Sequence, residues 1–433
     1  MERNIEIVSV ELIRPLSPTP NHLRCFEFSL LDQMAVDMSV PLALFYPTPL
    51  DGSESSRLLL LKKSLSEILA RFYPFAGRIK DNSVECNDDG VPFYEAFAHN
   101  YRLEDVLRKP AYVNQKFLPT TVEEGSLMPD SALYPLLVQV TIFECGGMAI
   151  GIRASHKVAD CATLCTLINA WSTIARGNIE VVVPEFVAAA KFLPPPIPHV
   201  QPKPINFDVR KILFDKKLVA KFIAFDASTI TSLKAKAVSD SVQMPTRVEV
   251  VSAVIWKCAM VASGNETRLS KLGHNVNIRK RLVPPLPNHC VGNVVTPATA
   301  RKGENDVSDL PTLVACIRKA LSEISSKYMD YKQSRDEAIL AIPYDTAEFF
   351  AARFRGEIDT HIISLCSYQF YDVDFGWGKP SWVSLIRDFG IGTVVLMDSR
   401  DSGGVDAWVY LKDEDNMLVF EQELQLLAFG SAK

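Results

Sequence analysis

What this sequence lacks narrows it quickly. No stretch approaches the roughly 18 apolar residues that a membrane-spanning helix needs, so no membrane partner is expected. None of the nine cysteines stands in a Cys-x-x-Cys pair and no His-x-x-x-His occurs, so the usual halves of a zinc site are missing and no metal is expected. An odd cysteine count without a paired pattern reads as reduced thiols used as small core residues, and Cys161 and Cys165, at helical spacing, as core or interface. No Gly-x-Ser-x-Gly is present, which removes the nucleophile elbow of a serine hydrolase. Charge of one sign is also missing. With 46 Lys+Arg against 51 Asp+Glu the net charge is -5, which gives no reason to expect nucleic acid or an anionic membrane as partner. The opening "MERNIEIVSVELIRP" has no long apolar core and carries acidic residues, unlike a secretory signal or transit peptide, so a cytoplasmic location is expected.

What is present is ordinary globular composition, 48% apolar and 22% charged, in 433 residues, too many for one hydrophobic core. The clearest shift is the proline-rich "FLPPPIPHVQPKPINF", Phe192 to Phe207, which forbids a helix and favours an extended connector. It divides the chain into an N-terminal lobe (1–191), a crossover (192–207) and a C-terminal lobe (208–433), with part of 360–390 open to packing with the first lobe. Apolar spacing predicts a helix in "SSRLLLLKKSLSEILARFYPFAG", stopped by Pro74 and Gly77. "PLLVQVTIFECGGMAIGIRAS" reads as a hairpin about a Gly-Gly turn. Val158, Cys161, Cys165, Ile168 and Trp171 recur at helical spacing after it. Beyond the connector, "TRVEVVSAVIWKCAMVA" reads as a helix and "HNVNIRKRL" as a strand. "DLPTLVACIRKALSEISSKYMDYK" follows as an amphipathic helix. "HIISLCSYQFYDVDFGWGKP" reads as strand-rich, "GTVVLMDSRDSGGVDAWVYL" as a strand pair and "DNMLVFEQELQLLAF" as a closing helix. Strands and helices mix in both halves, so the class is α/β with two sheet-plus-helix lobes.

The residues that carry chemistry begin with "SHKVADC", 155–161, which puts His156 at a strand-to-helix junction. An imidazole titrates near neutral pH and suits removal of a proton from a hydroxyl. A buried histidine satisfied by the backbone is the plainer alternative, and Asp160 alone reads equally well as a helix cap. The glycines of "DFGWGKPS" do not form a phosphate loop, because Val373 stands where the first glycine belongs and Pro380 where Ser or Thr should follow the lysine.

His-x-x-x-Asp at 156–160 together with Asp-Phe-Gly-Trp-Gly at 374–378, in this order and separation, resembles the plant BAHD family of acyl-CoA-dependent acyltransferases. "LIRPLSPTP", "FSLLDQ" (28–33), "YPFAGRI" (73–79), "CNDDGVPF" (86–93) and "VNIRKRLVPPLP" (276–287) are similar to family landmarks, so the resemblance runs end to end. "YDVDFGWGKP" resembles the branch of alkaloid O-acetyltransferases. The resemblance implies two similar-sized lobes of the chloramphenicol acetyltransferase kind, a channel between them, and acyl-CoA, acetyl-CoA by analogy, as cosubstrate of a monomeric enzyme. It implies that His156 is the general base for a small-molecule alcohol acceptor. Asp160 is implied to be structural, braced by Arg279, and Asp374, Phe375, Gly376, Trp377 and Gly378 to set the geometry of the CoA channel. "PTRVEV" and "VGNVV" resemble CoA-contacting segments, which points to Thr246, Arg247 and Asn293. Where many members carry Thr-Ser-Trp, this chain has Ile363-Ser364-Leu365, so Ile363 and Leu365 are read as acceptor-pocket residues and acceptor identity stays open between alkaloid, sugar, terpenoid and phenolic alcohols. That departure also leaves room for a binding-only member. A condensation-type domain is disfavoured, because Ser155 precedes and Cys161 follows the motif where such domains resemble His-His-x-x-x-Asp-Gly.

Overall fold

Runs of apolar and alternating residues become two six-stranded sheets, and the computed structural model describes residues 4–35, 37–48, 54–108, 115–120, 133–178, 180–192, 218–329, 335–385, 390–401 and 403–430. The chain divides into two compact units. The first comprises Met1–Val200 with Leu286–Val294 and Gln369–Arg387; the second comprises Gln201–Pro285, Val295–Tyr368 and Asp388–Lys433. Leu286–Val294, which a single cut at the proline-rich connector assigns to the second lobe, folds with the first because its backbone is held there: Glu185 N donates to His289 O at 3.0 Å and Val291 N to Glu185 O at 2.8 Å. The connector itself, 192–207, lies almost wholly outside the described residues.

In the first unit the strands run in the order Asn4–Ile13, Val91–His99, Leu136–Phe143, Met148–Ser155, Ser39–Tyr46 and Trp382–Ser384. The predicted hairpin is present, Leu136–Phe143 pairing antiparallel with Met148–Ser155. All eight residues of Leu136–Phe143 are buried, including the polar Gln139 and Thr141, and Gln139 Nε2 is satisfied by Lys116 O at 2.7 Å and Thr141 Oγ1 at 3.0 Å. Ser39–Tyr46 lies beside Met148–Ser155 in register Ser39 to Ser155 and Tyr46 to Met148. A small sheet of Cys25–Glu27, Ser83–Glu85 and Arg78–Lys80 completes the unit.

Helix Glu54–Leu69 packs on helix Cys161–Ala175, and Trp171 locks the pair: its ring is buried and its Nε1 donates to Ser64 Oγ at 3.0 Å. Asp160 starts the second helix as its cap, accepting from Thr163 N at 2.9 Å. The predicted helical run from Val158 is thus real, but its first residue is Cys161, because the carboxylate at 160 satisfies an amide that the helix cannot.

The second unit carries strands Val295–Lys302, Ser270–Asn277, Thr360–Ser364, Thr393–Asp398, Val405–Leu411 and Val219–Phe225 in that order. Helix Arg247–Ala262 lies on this sheet, its Trp256 Nε1 bonded to Ser270 Oγ at 2.9 Å. Two strand expectations shift. "HNVNIRKRL" is strand only to Asn277 and then turns into a 3-10 segment, Arg279–Arg281; "HIISLCSYQF…" is strand only over Thr360–Ser364. In each case pairing partners end before the apolar pattern does. No helix among the described residues is long and apolar enough to cross a membrane.

Asp406 stands inside this sheet, opposite Met397 on one side and Ala224 on the other. Burial, with the charge of Asp401 adding to it, pushes its carboxyl up to about 7. A carboxyl raised in the fold contributes stability when protonated, and that contribution is lost as pH rises from the unfolded value near 4 through 7. Asp406→Asn should therefore gain stability over the native chain progressively between pH 4 and pH 7 and no further above it. The gain should total a few kcal/mol at about 1.4 kcal/mol per pKa unit, read as urea midpoints across that range.

Candidate active site

His156 follows directly on strand Met148–Ser155, in a turn that closes against three separate stretches of the first unit. Its backbone N donates to Met38 O at 2.8 Å. Its carbonyl accepts from Asn293 Nδ2 at 2.6 Å. The next side chain, Lys157, reaches Gln33 O at 2.8 Å, and burial lowers its pKa. Asp160 closes the turn: one oxygen caps the helix and the other accepts from Val294 N at 3.2 Å. Thr163 Oγ1 lies 3.1 Å from both the N and the O of Gly292. Gly292, Asn293 and Val294 thus bond in succession to Thr163, His156 and Asp160, and the half-buried imidazole projects from a turn fixed on both sides.

Asn293, expected at CoA from its motif, stands beside the His156 turn. It is 5% exposed, and its amide donates to Asp32 Oδ1 at 2.8 Å as well as to His156 O, which uses both of its protons. Asp32 is 1% exposed and accepts from Ser29 N and Oγ and from Asn293 N and Nδ2. Burial pushes its carboxyl up to about 6, with the bonds from Ser29 and Asn293 opposing. Sequence reasoning missed Asp32. The available signal was Ser29-x-x-Asp32, a capping-box spacing, inside the landmark "FSLLDQ". Cys161 and Cys165 are no rival nucleophiles: burial pushes their thiols up to about 12 and about 11.

The second motif lies at the far end of the same elements. Tyr46, paired with Met148, donates its hydroxyl to Val373 O at 3.0 Å, whereas His156 adjoins Ser155 at the other end. Seven residue steps separate those ends, roughly 23 Å at about 3.3 Å each, and helix Cys161–Ala175 spans about the same distance. Asp374 is therefore a turn-former distant from the imidazole. Its Oδ1 accepts from Gly376 N at 2.7 Å and Gly378 N at 2.9 Å, while its carbonyl accepts from Arg176. Gly376 and Gly378 have φ of +109° and +101°, a region that favours glycine. Phe375 is buried between Trp171, at 5.0 Å, Tyr46, at 6.2 Å, and Trp377, at 5.6 Å. Arg57 covers the Trp377 ring at 4.9 Å.

The other expected residues stand in the second unit. Thr246 caps helix Arg247–Ala262, its Oγ1 accepting from Glu249 N at 3.2 Å. Arg247 pairs with Asp398 at 2.9 Å and stays partly exposed. Arg279 is buried, its N and Nη1 on Asn277 Oδ1. Ile363 is half-buried in its strand opposite Val395, and Leu365 is buried with its N on Leu396 O at 2.6 Å.

A histidine on a clamped turn, two sheet-rich units and a distant structural turn fit an acyltransferase of the two-lobed kind. A family model described as the transferase family matches residues 3–427, and the chain belongs to that family, the BAHD acyltransferases, whose donors are CoA thioesters. It is 37% identical to epi-neemfruitin B 7-O-acetyltransferase of Melia azedarach, and 35% identical to vinorine synthase of Rauvolfia serpentina, over 98% of this chain and of each relative. The crystal structure of vinorine synthase matches with a TM-score of 0.81 at 34% identity over 98% of both chains. F. graminearum TRI101, complexed with Coenzyme A and T-2 mycotoxin, matches with a TM-score of 0.70 at 17% identity, over 91% of this chain and 96% of the other, and so shares the fold.

The turn at 374–378 makes a sharp prediction. Asp374→Ala removes two exposed hydrogen bonds whose amides can turn to water, and should cost no more than about 0.5–1.5 kcal/mol of unfolding free energy per bond, whereas Asp374→Asn keeps an oxygen for them and should cost distinctly less. Equal losses in thermal unfolding would show that the carboxamide oxygen cannot replace the carboxylate there.

Proposed function

We propose that this enzyme transfers an acetyl group from acetyl-CoA to a hydroxyl of a polycyclic plant metabolite, an alkaloid or limonoid-type alcohol, with His156 as general base. The observation that carries the reading is the rigid turn that presents His156, in a chain similar along its whole length to plant enzymes whose names specify O-acetylation. The imidazole takes the acceptor hydroxyl proton as the oxygen attacks the thioester carbonyl. The tetrahedral intermediate then breaks its C–S bond, and the imidazolium returns the proton to the departing sulfur, yielding ester and free CoA. A thiol ionises near pH 8.5 in water, so no stronger acid than imidazolium is required.

Thr246 and Arg247 are proposed to meet the CoA, and Ile363 and Leu365 the acceptor. Aliphatic residues at those two positions offer apolar contact to a fused-ring skeleton and no hydrogen bond to it, which favours polycyclic alcohols over sugars.

Release of free thiol from acetyl-CoA, measured with a panel of alkaloid, limonoid, sugar and phenolic alcohols, tests the reading. Thiol release should require both an acceptor and His156, and His156→Ala should lose about 10²–10⁴-fold in kcat. Full turnover by His156→Ala, or failure of CoA to bind, would sink it.

A further inference from the structure

We propose that Asp32 is a positioning residue for the reaction: its carboxylate sets the orientation of Asn293, whose amide in turn holds the backbone of His156. This rests on the reading of His156 as the base. The geometry is a relay. Asp32 sits in the five-residue helix Leu30–Met34 and receives four donors, Ser29 N at 2.9 Å and Oγ at 2.6 Å on Oδ2, Asn293 N at 2.6 Å and Nδ2 at 2.8 Å on Oδ1. The two protons of a carboxamide nitrogen diverge at a fixed angle. Fixing one on Asp32 aims the other at His156 O, 2.6 Å away.

Burial of a carboxylate is costly unless its oxygens are fully bonded, and an apolar residue at 32 would avoid that cost. An apolar residue could not orient an amide. The neighbouring backbone is shaped for the contact as well. Gly292 has φ +110°, and a Cβ there would stand 3.2 and 3.3 Å from the two Asp32 oxygens, so a side chain would crowd the carboxylate. The same helix supplies Gln33 O to Lys157 Nζ, so its placement reaches both His156 and the residue after it. With the carboxyl titrating at about 6, it is ionised and a full acceptor in an assay at pH 8.

The test compares Asp32→Ala, Asp32→Asn, Asn293→Ala, the Asp32→Ala/Asn293→Ala double variant and His156→Ala in the thiol-release assay at pH 8, with urea unfolding of each. A displacement of about 1 Å at a reacting group can cost about 10²-fold, so Asp32→Ala should lose about 10- to 100-fold in kcat with little change in the KM for acetyl-CoA. The double variant should be no worse than the poorer single one, because both break one relay. Asp32→Asn, which keeps an acceptor toward Asn293, should recover most of kcat even where Asp32→Ala folds poorly. Native kcat in a folded Asp32→Ala, losses that multiply in the double variant, or an Asp32→Asn as slow as the alanine would each overturn the relay. An active His156→Ala would instead remove the base on which the relay acts, so the two failures are distinguishable.

Discussion

Backbone amides from a remote segment, bonded to buried carboxylates, are the constraint on which the active-site turn depends. Asp160 and Asp32 are 2% and 1% exposed, and both accept from the stretch 293–294: Val294 N on Asp160, Asn293 N and Nδ2 on Asp32. A carboxylate in such surroundings is tolerated only when its lone pairs are filled, so each carboxylate pins the backbone that fills it. Because Leu286–Val294 arrives from the later part of the chain, the turn at His156 is a tertiary product and not a property of its own hairpin.

The second signature is joined to the first through one helix. Asp160 caps the start of Cys161–Ala175; Trp171 and Arg176 meet the Asp374 turn at its end. A helix is stiff along its axis, so the two motifs are set at a fixed separation although they lie far apart in sequence. Aromatic packing at one end and carboxylate–amide bonding at the other use different physics for the same purpose. At the aromatic end Tyr46, Phe375, Trp377 and Trp171 exclude water and Asp374 bonds the glycine amides; at the histidine end nearly every restraint is polar.

Much of this was legible. The hairpin, the helix after His156, the helix in "TRVEVVSAVIWKCAMVA" and the later strand pair all follow from apolar period and turn chemistry. The edge strand Trp382–Ser384 was not, since three residues carry no period, and its pairing with Ala43, Leu44 and Phe45 is decided by the sheet it joins. "HNVNIRKRL" misled because its alternation continues past Asn277, while the neighbouring strand offers no partner beyond that point.

By itself the sequence determined the family, the α/β class, the histidine and the two motifs, because those rest on residue type and local spacing. Only the tertiary structure decided what Asn293 does. From "VGNVV" it could belong to a cosubstrate contact; in the fold its two amide protons are spent on Asp32 and His156, residues that no local spacing relates to it. A hydrogen bond is satisfied by whichever acceptor the fold brings within about 3 Å, and for residues this far apart along the chain that choice is made by packing.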